Sequence, residues 1–133
     1  MQRDYEAFDR FLAERRRMPF AWGRAGNDCV SFAAGAAIAQ TGEDPLKGLR
    51  WASRAGAFRL LTRLGGLDVA ISSRLPEVAP AQAHRGDIAG VPSEDMPGDV
   101  RLMVIVGELL VGPGAHGADF QSRSAMLRAW SLG

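Results

Sequence analysis

The sequence predicts an α+β fold in which helices from the first half of the chain pack on a small antiparallel sheet from the second half. Helical spacing of apolar residues dominates up to about Ile71, and short β-like runs begin near Asp87. Between them lies a segment, Pro76 to Pro80, that prolines interrupt. Helices first and strands afterwards are typical of an α+β layer.

The first predicted helix runs from Asp4 to Arg17. Its apolar residues recur at helical spacing: Tyr5, Phe8, Phe11 and Leu12. Asp4 can cap its start, and the basic residues at its end suit the negative pole of the helix dipole. Pro19 then ends the helix, and an ordered loop follows up to Asn27.

A second helix is predicted from Cys29 to Gln40, with Asp28 as its N-cap and Gly42 as its stop signal. It has almost no polar face, which indicates a central helix that other elements cover. A third helix is predicted from Ser53 to Leu64, followed by a short helical turn through Ile71.

The strands are predicted from the β-like runs, with a turn at Gly107 and Glu108. The four runs are Asp87 to Val91, Val100 to Val106, Leu109 to Val111, and a final one near Leu127 to Leu132. The glycine-rich stretch from Gly112 to Gly117 is interpreted as a mobile loop.

Composition and charge exclude several classes of protein. The chain has 133 residues, which is the size of one ordinary domain, and 47% of them are hydrophobic. We therefore expect a single folded domain over residues 1–133. The net charge of +1 is too balanced for the basic surface that nucleic-acid binding usually requires, so no nucleic-acid partner is expected.

Metal ions, cofactors and membrane spans are also not expected. The sequence holds one cysteine and two histidines, without the C-x-x-C or H-x-x-x-H spacing of structural zinc sites. No apolar run approaches the roughly 20 residues that span a bilayer, and Met1 to Arg17 lacks the apolar core of a signal peptide. We expect synthesis in the cytoplasm without a signal peptide.

Cys29 is the residue most suited to chemistry. The first turn of a helix stabilises a thiolate and lowers its pKa, whereas burial in an apolar environment raises it. Cys29 is accordingly either a nucleophile or a small buried residue. Its neighbours must decide between the two.

The sequence around Cys29 contains a recognisable pattern: an aromatic residue, any residue, Trp-Gly, a loop, Asp-Cys, two residues and Phe, here Phe20–Gly23 and Asp28–Phe32. This pattern resembles the signature of NlpC-type cysteine peptidases, which have a papain-like fold. Arg85–Asp87 also resembles the Gly-Asp that the family places at its first sheet strand. The resemblance implies that the central Cys29 helix packs on the sheet.

The family cleaves amide bonds in bacterial cell-wall peptides with a cysteine, a histidine at the start of the next core strand and a third polar residue. A tyrosine in the aromatic position assists at the oxyanion. By this resemblance, Arg101 stands at or near the histidine position and Phe20 at the tyrosine position. A guanidinium stays protonated and cannot serve as a general base, so catalysis is expected to be weak or lost.

An active peptidoglycan peptidase or amidase is the alternative. In that hypothesis Cys29 is the nucleophile, Asp28 lies near the oxyanion, and His116 or His84 is the base. Trp22 and Arg101 are candidates for binding.

A narrower likeness concerns Thr41–Pro45 and Leu127–Trp130, which look like a small group of phage and prophage proteins. It implies a role near the tip or hub of a phage-type tail, with other tail proteins and possibly bacterial peptidoglycan as partners. In that case the chain is made in the bacterial cytoplasm and incorporated in a virion. A cytoplasmic adaptor that uses the fold for binding alone is a third hypothesis.

Overall fold

The computed structural model describes residues 3–133. Met1 and Gln2 lie outside the described residues. They belong to Met1 to Arg17, the segment in which no signal peptide is expected. The helices are α1 Tyr5–Arg15, α2 Cys29–Thr41, α3 Arg54–Arg63 and α4 Leu67–Ser72, with short 3-10 turns at Pro80–Gln82 and Arg123–Ala125. The strands are β1 Glu77–Val78, β2 Ile88–Pro92, β3 Val100–Ile105, β4 Leu109–Gly114, β5 Gly117–Ser122 and β6 Arg128–Trp130.

The strands form one six-stranded sheet in the order β1-β6-β2-β3-β4-β5, and every neighbouring pair is antiparallel. Helix α2 packs against β3 and β4, and α1 packs on α2. The predicted α+β arrangement, with a central Cys29 helix on an antiparallel sheet, is confirmed. None of the helices among the described residues is both long enough and apolar enough to cross a bilayer.

Helix α2 is the centre of the fold because its small residues let neighbours approach closely. Most of its side chains are buried, as its sequence predicted. At Gly35 a Cβ atom would lie 2.7 Å from Cε2 of Phe11, so the absence of a side chain allows α1 to pack here. Gly42 ends the helix in the left-handed conformation, with φ 77°, and its N–H bonds to Ile38 O.

A buried carboxylate, Asp87, joins distant parts of the chain at the start of β2. Its Oδ1 accepts hydrogen bonds from Arg3 Nη2 at 2.6 Å and from the Leu132 N–H at 3.1 Å. Its Oδ2 accepts from the His84 N–H at 2.8 Å. The Gly-Asp motif therefore has a structural role here.

The prediction of a mobile loop from Gly112 to Gly117 is wrong. Strand β4 continues to Gly114 and β5 begins at Gly117, so only Ala115 and His116 form the turn. Pro113 is tolerated because the pairing of β4 with β3 extends only to Val111, so this position needs no N–H donor towards β3.

The other differences concern strand ends. The two-residue strand β1, which pairs with β6, was not predicted because it is too short to show alternation. The final strand is shorter than the predicted Leu127 to Leu132, since only Arg128–Trp130 pairs with its neighbours.

Gly86 and Gly48 provide a matched test of how tightly β2 is joined to α2. Both have φ +90°, but a Cβ at Gly86 would lie 2.0 Å from Gln40 Oε1, whereas nothing lies within 4 Å at Gly48. Gly48→Ala should cost about 1–2 kcal/mol of unfolding free energy from backbone strain alone. Gly86→Ala should cost about 1–3 kcal/mol more, because Gln40 must also move. Urea unfolding of both variants measures the difference, and equal losses would contradict close packing at Gly86.

Candidate active site around Cys29

Cys29 is the first residue of α2, and Asp28 fixes its position as the N-cap. Asp28 has an extended backbone, and its Oδ1 accepts hydrogen bonds from the N–H groups of Val30 at 2.9 Å and Ser31 at 2.8 Å. In return, Ser31 Oγ accepts from the Asp28 N–H at 2.9 Å. This reciprocal capping box places the thiol in the first turn of the helix.

The second oxygen of Asp28 is also fully used. Oδ2 accepts from the Gly23 N–H at 2.9 Å and from Trp51 Nε1 at 2.8 Å. With two donors on each oxygen, the fully buried carboxylate has filled its four acceptor positions. Asp28, predicted to lie near an oxyanion, thus holds together α2, the preceding loop and the Trp51 segment.

Cys29 is buried, with only 4% of the residue exposed. Burial raises its pKa from the usual 9.0 to about 11, and the negative charge of Asp28 acts in the same direction. Hydrogen bonding with the Leu102 backbone and the positive charge of Arg101 lower the pKa, but burial outweighs both. The thiol is therefore neutral at physiological pH, despite its place at a helix N-terminus.

Arg101, expected at the histidine position of NlpC-type enzymes, lies on β3 next to Leu102. Leu102 shares the hydrophobic core with Cys29, and successive side chains of a strand point to opposite faces. Arg101 consequently lies on the other face, where its Nη2 is 3.5 Å from Asp119 Oδ2 of β5. Its guanidinium is directed towards β5 and not towards the thiol.

His84 lies at the wrong end of α2 to act on Cys29. It is exposed and close in sequence to Gly86, whose carbonyl accepts a hydrogen bond from Gln40 Nε2 at 2.9 Å. Gln40 is eleven residues after Cys29 in the same helix. At 1.5 Å per residue, this places the Gln40 end of α2 about 16 Å from Cys29.

His116 lies at the same end of the molecule as Cys29 but is exposed. It is in the turn between β4 and β5, and the Gly114 carbonyl of this turn accepts a hydrogen bond from the Phe20 N–H at 2.8 Å. Within residues 3–133, neither imidazole forms a hydrogen bond with Cys29. The structure brings Asp28 and Cys29 together and leaves both histidines apart from them.

The three tryptophans have different environments. Trp22 is half-buried and packs edge-on against Phe20 and Phe58, with ring centroids 5.0 and 5.8 Å away. Trp51 and Trp130 are buried in the core, so they do not line an open groove. The contact of Trp51 with Asp28 was not predicted, because it joins residues 23 apart and leaves no local pattern.

Among the described residues, no group of three or more His, Cys, Asp and Glu side chains is arranged to hold a metal ion.

The family model described as Domain of unknown function (DUF6950) matches residues 2–132. The chain belongs to this DUF6950 family. No curated protein matches the sequence.

The crystal structure of the NlpC/p60 domain of the peptidoglycan hydrolase SagA is similar to this DUF6950 chain. The match has a TM-score of 0.62 at 20% identity and covers 96% of this chain and 98% of the other. The likeness shows that the chain has the papain-like NlpC/p60 fold, with the cysteine-bearing helix expected from the sequence.

Asp28→Ala is expected to destabilise the protein strongly, because it leaves four buried donors without an acceptor. We expect a loss of about 3–5 kcal/mol of unfolding free energy, the usual effect of removing one member of a buried charged group and its partners. The control is Asp4→Ala, an N-cap of α1 that accepts one hydrogen bond near the surface. It should lose about 1 kcal/mol in urea unfolding. Equal losses would show that the Asp28 carboxylate is not a central contact.

The raised pKa of Cys29 predicts a stability loss at high pH. The neutral thiol is favoured in the folded state, so its contribution is complete below about pH 9 and is lost as pH rises towards 11. A shift of two pKa units corresponds to about 2–3 kcal/mol. Between pH 8.5 and 11, the unfolding free energy of the wild type should therefore fall by about this amount relative to that of Cys29→Ala. A constant difference would contradict the burial of the thiol.

Proposed function

We propose that this chain is a non-hydrolytic NlpC-like domain that serves as a component of a phage-type tail, near its tip or hub. The observation that carries the proposal is the burial of Cys29, which raises the pKa of its thiol to about 11. A buried thiol with its pKa raised in this way is neutral at pH 7. Since the thiolate is the nucleophile, a neutral buried thiol is poorly suited to attack on an amide.

The lack of a positioned base among residues 3–133 also supports a non-hydrolytic role. General-base catalysis needs an acceptor within hydrogen-bond reach of the nucleophile. His84 lies near the far end of α2, His116 is exposed in a turn, and Arg101 pairs with Asp119 on the other face of the sheet.

The tail role is supported by the resemblance of Thr41–Pro45 and Leu127–Trp130 to phage and prophage proteins. Tail tips carry cell-wall-processing domains in related systems, and the solved neighbour is a domain of a peptidoglycan hydrolase. A fold of this kind can persist as a binding component after its chemistry is lost. The proposed partners are other tail proteins, with peptidoglycan as a further ligand. In this proposal the chain is made in the bacterial cytoplasm and then enters the particle.

The second candidate is an active amidase or endopeptidase that cleaves peptidoglycan peptides during cell entry. It is favoured by one observation, the position of Cys29 as the first residue of a helix in the NlpC/p60 fold. It requires that Cys29 becomes exposed and that His116 or His84 moves to it.

Under the proposal the gene lies in a phage or prophage, and the two candidates predict different phenotypes there. If the domain is a non-hydrolytic tail component, Cys29→Ala particles should have a titre within about threefold of the wild type. Deletion of the gene should instead abolish infectious particles. The measurements are the titre of each strain and immunogold labelling of an epitope-tagged chain on purified particles.

The contrary outcomes are distinct. Normal Cys29→Ala particles that no longer infect, together with loss of muropeptide cleavage by the purified variant, would establish the peptidase. A chain that is absent from purified particles would refute the tail role and favour an adaptor.

A further inference from the structure

Strand β5 forms one edge of the sheet, and half of its backbone groups point away from β4. The Ala118 N–H bonds at 2.8 Å to Arg16 O, which lies outside the sheet, so Ala118 faces the open side. By the two-residue period of a strand, Phe120 and Ser122 face the same side. Within residues 3–133, the N–H and C=O of Phe120 and the N–H of Ser122 have no backbone partner on that side.

A groove of about 380 Å³ runs beside this edge, between α1 and the β4–β5 hairpin. Its floor is apolar, formed by Phe32, Val106 and Val111, and its walls include Leu12 and Ala118. Phe120, which borders it, is 53% exposed. Apolar surface next to unpaired backbone groups is the arrangement that accepts an added strand with one side chain inserted.

The charges around the groove favour an acidic occupant. Arg16 borders the groove and is exposed, and it forms no ion pair within residues 3–133. Asp9, the acidic residue of the lining, is already paired with Arg85. The uncompensated charge of the groove lining is therefore the positive charge of Arg16.

We infer that β5 binds an extended segment of another protein as a seventh strand of the sheet. One apolar side chain of that segment occupies the groove, and an acidic residue lies against Arg16. The backbone groups of Phe120 and Ser122 form the hydrogen bonds to the added strand. The groove determines which side chain the bound segment must carry. This site does not involve Cys29, so it stands or fails separately from the loss of hydrolysis.

A second copy of this chain fits the edge less well. A twofold antiparallel pairing centred on Phe120 would place Ala118 of each copy opposite Ser122 of the other. Such a pair would bring the Arg16 residues of both copies to one shared edge, and Asp119, the acidic residue of β5, is already paired with Arg101 of its own chain. An acidic segment instead supplies the charge opposite to that of Arg16.

Ser122 allows the ladder to be tested without disturbing the fold. Its φ is −63°, which proline adopts without strain, and its N–H points away from β4. Ser122→Pro therefore removes one outward donor, together with the hydroxyl that caps Ser124 N. Ser122→Ala removes the hydroxyl alone and is the matched control. Urea unfolding should show similar stability for the two variants.

The experiment begins with selection of a random peptide library on the full chain. We expect enriched peptides with β-forming residues around one large apolar residue and an acidic residue nearby. The tightest peptide should bind Ser122→Pro at least tenfold more weakly than Ser122→Ala by fluorescence anisotropy. Arg16→Glu should remove the preference for the acidic residue, whereas Arg17→Glu, which does not line the groove, should keep it.

Three outcomes would overturn the inference. The first is the absence of any enriched peptide family, and the second is equal affinity of the enriched peptide for the two Ser122 variants. The third is concentration-dependent dimerisation in sedimentation that Ser122→Pro abolishes, because the occupant of the edge would then be a second copy.

Discussion

The Asp28 carboxylate is the interaction on which the rest of the structure depends. Its four donors come from the first turn of α2, the preceding loop and Trp51, so one side chain joins three separate segments. A buried charge is tolerated only when hydrogen bonds replace its water, and here peptide N–H groups and an indole do so. The positive end of the α2 dipole adds further stabilisation. Because this carboxylate is used in full, the start of α2 has one fixed position.

The small residues of α2 explain both the close packing of the core and the burial of its cysteine. Alanines and Gly35 allow α1 and the sheet to approach the helix closely, as the contact of Phe11 with Gly35 shows. The same close packing covers Cys29 and removes water from its thiol. The helix N-terminus would favour a thiolate, but the loss of solvation is larger, so the pKa rises. An NlpC/p60 fold can thus be kept while its cysteine becomes part of the core.

Three polar residues at positions compared with the NlpC pattern have structural partners in this chain. Asp28 caps α2, Arg101 pairs with Asp119, and Asp87 joins Arg3 to the Leu132 backbone. One surface that remains available lies elsewhere, at the open edge of β5 and the groove beside it. The cysteine of this domain is thus buried, whereas part of the backbone of β5 is unpaired at the edge of the sheet.

The sequence by itself determined the features that depend on neighbouring residues. Asp28 and Gly42 mark the ends of α2 because caps act within one turn, and the apolar composition of α2 indicates its burial. The order of helices and strands follows from local periodicity in the same way. The resemblance around Cys29 also predicted the fold, since it rests on a short continuous motif.

Only the tertiary structure decided what depends on distant contacts. Strand β5 exists because it pairs with β4, and its own sequence has little strand character. The bond from Trp51 to Asp28, the place of Arg101 on the far face of β3, and the separation of His84 from Cys29 all depend on packing between segments. The sequence likewise could not show whether the helix dipole or burial has the larger effect on the pKa of Cys29, because solvent exposure is a property of the assembled core.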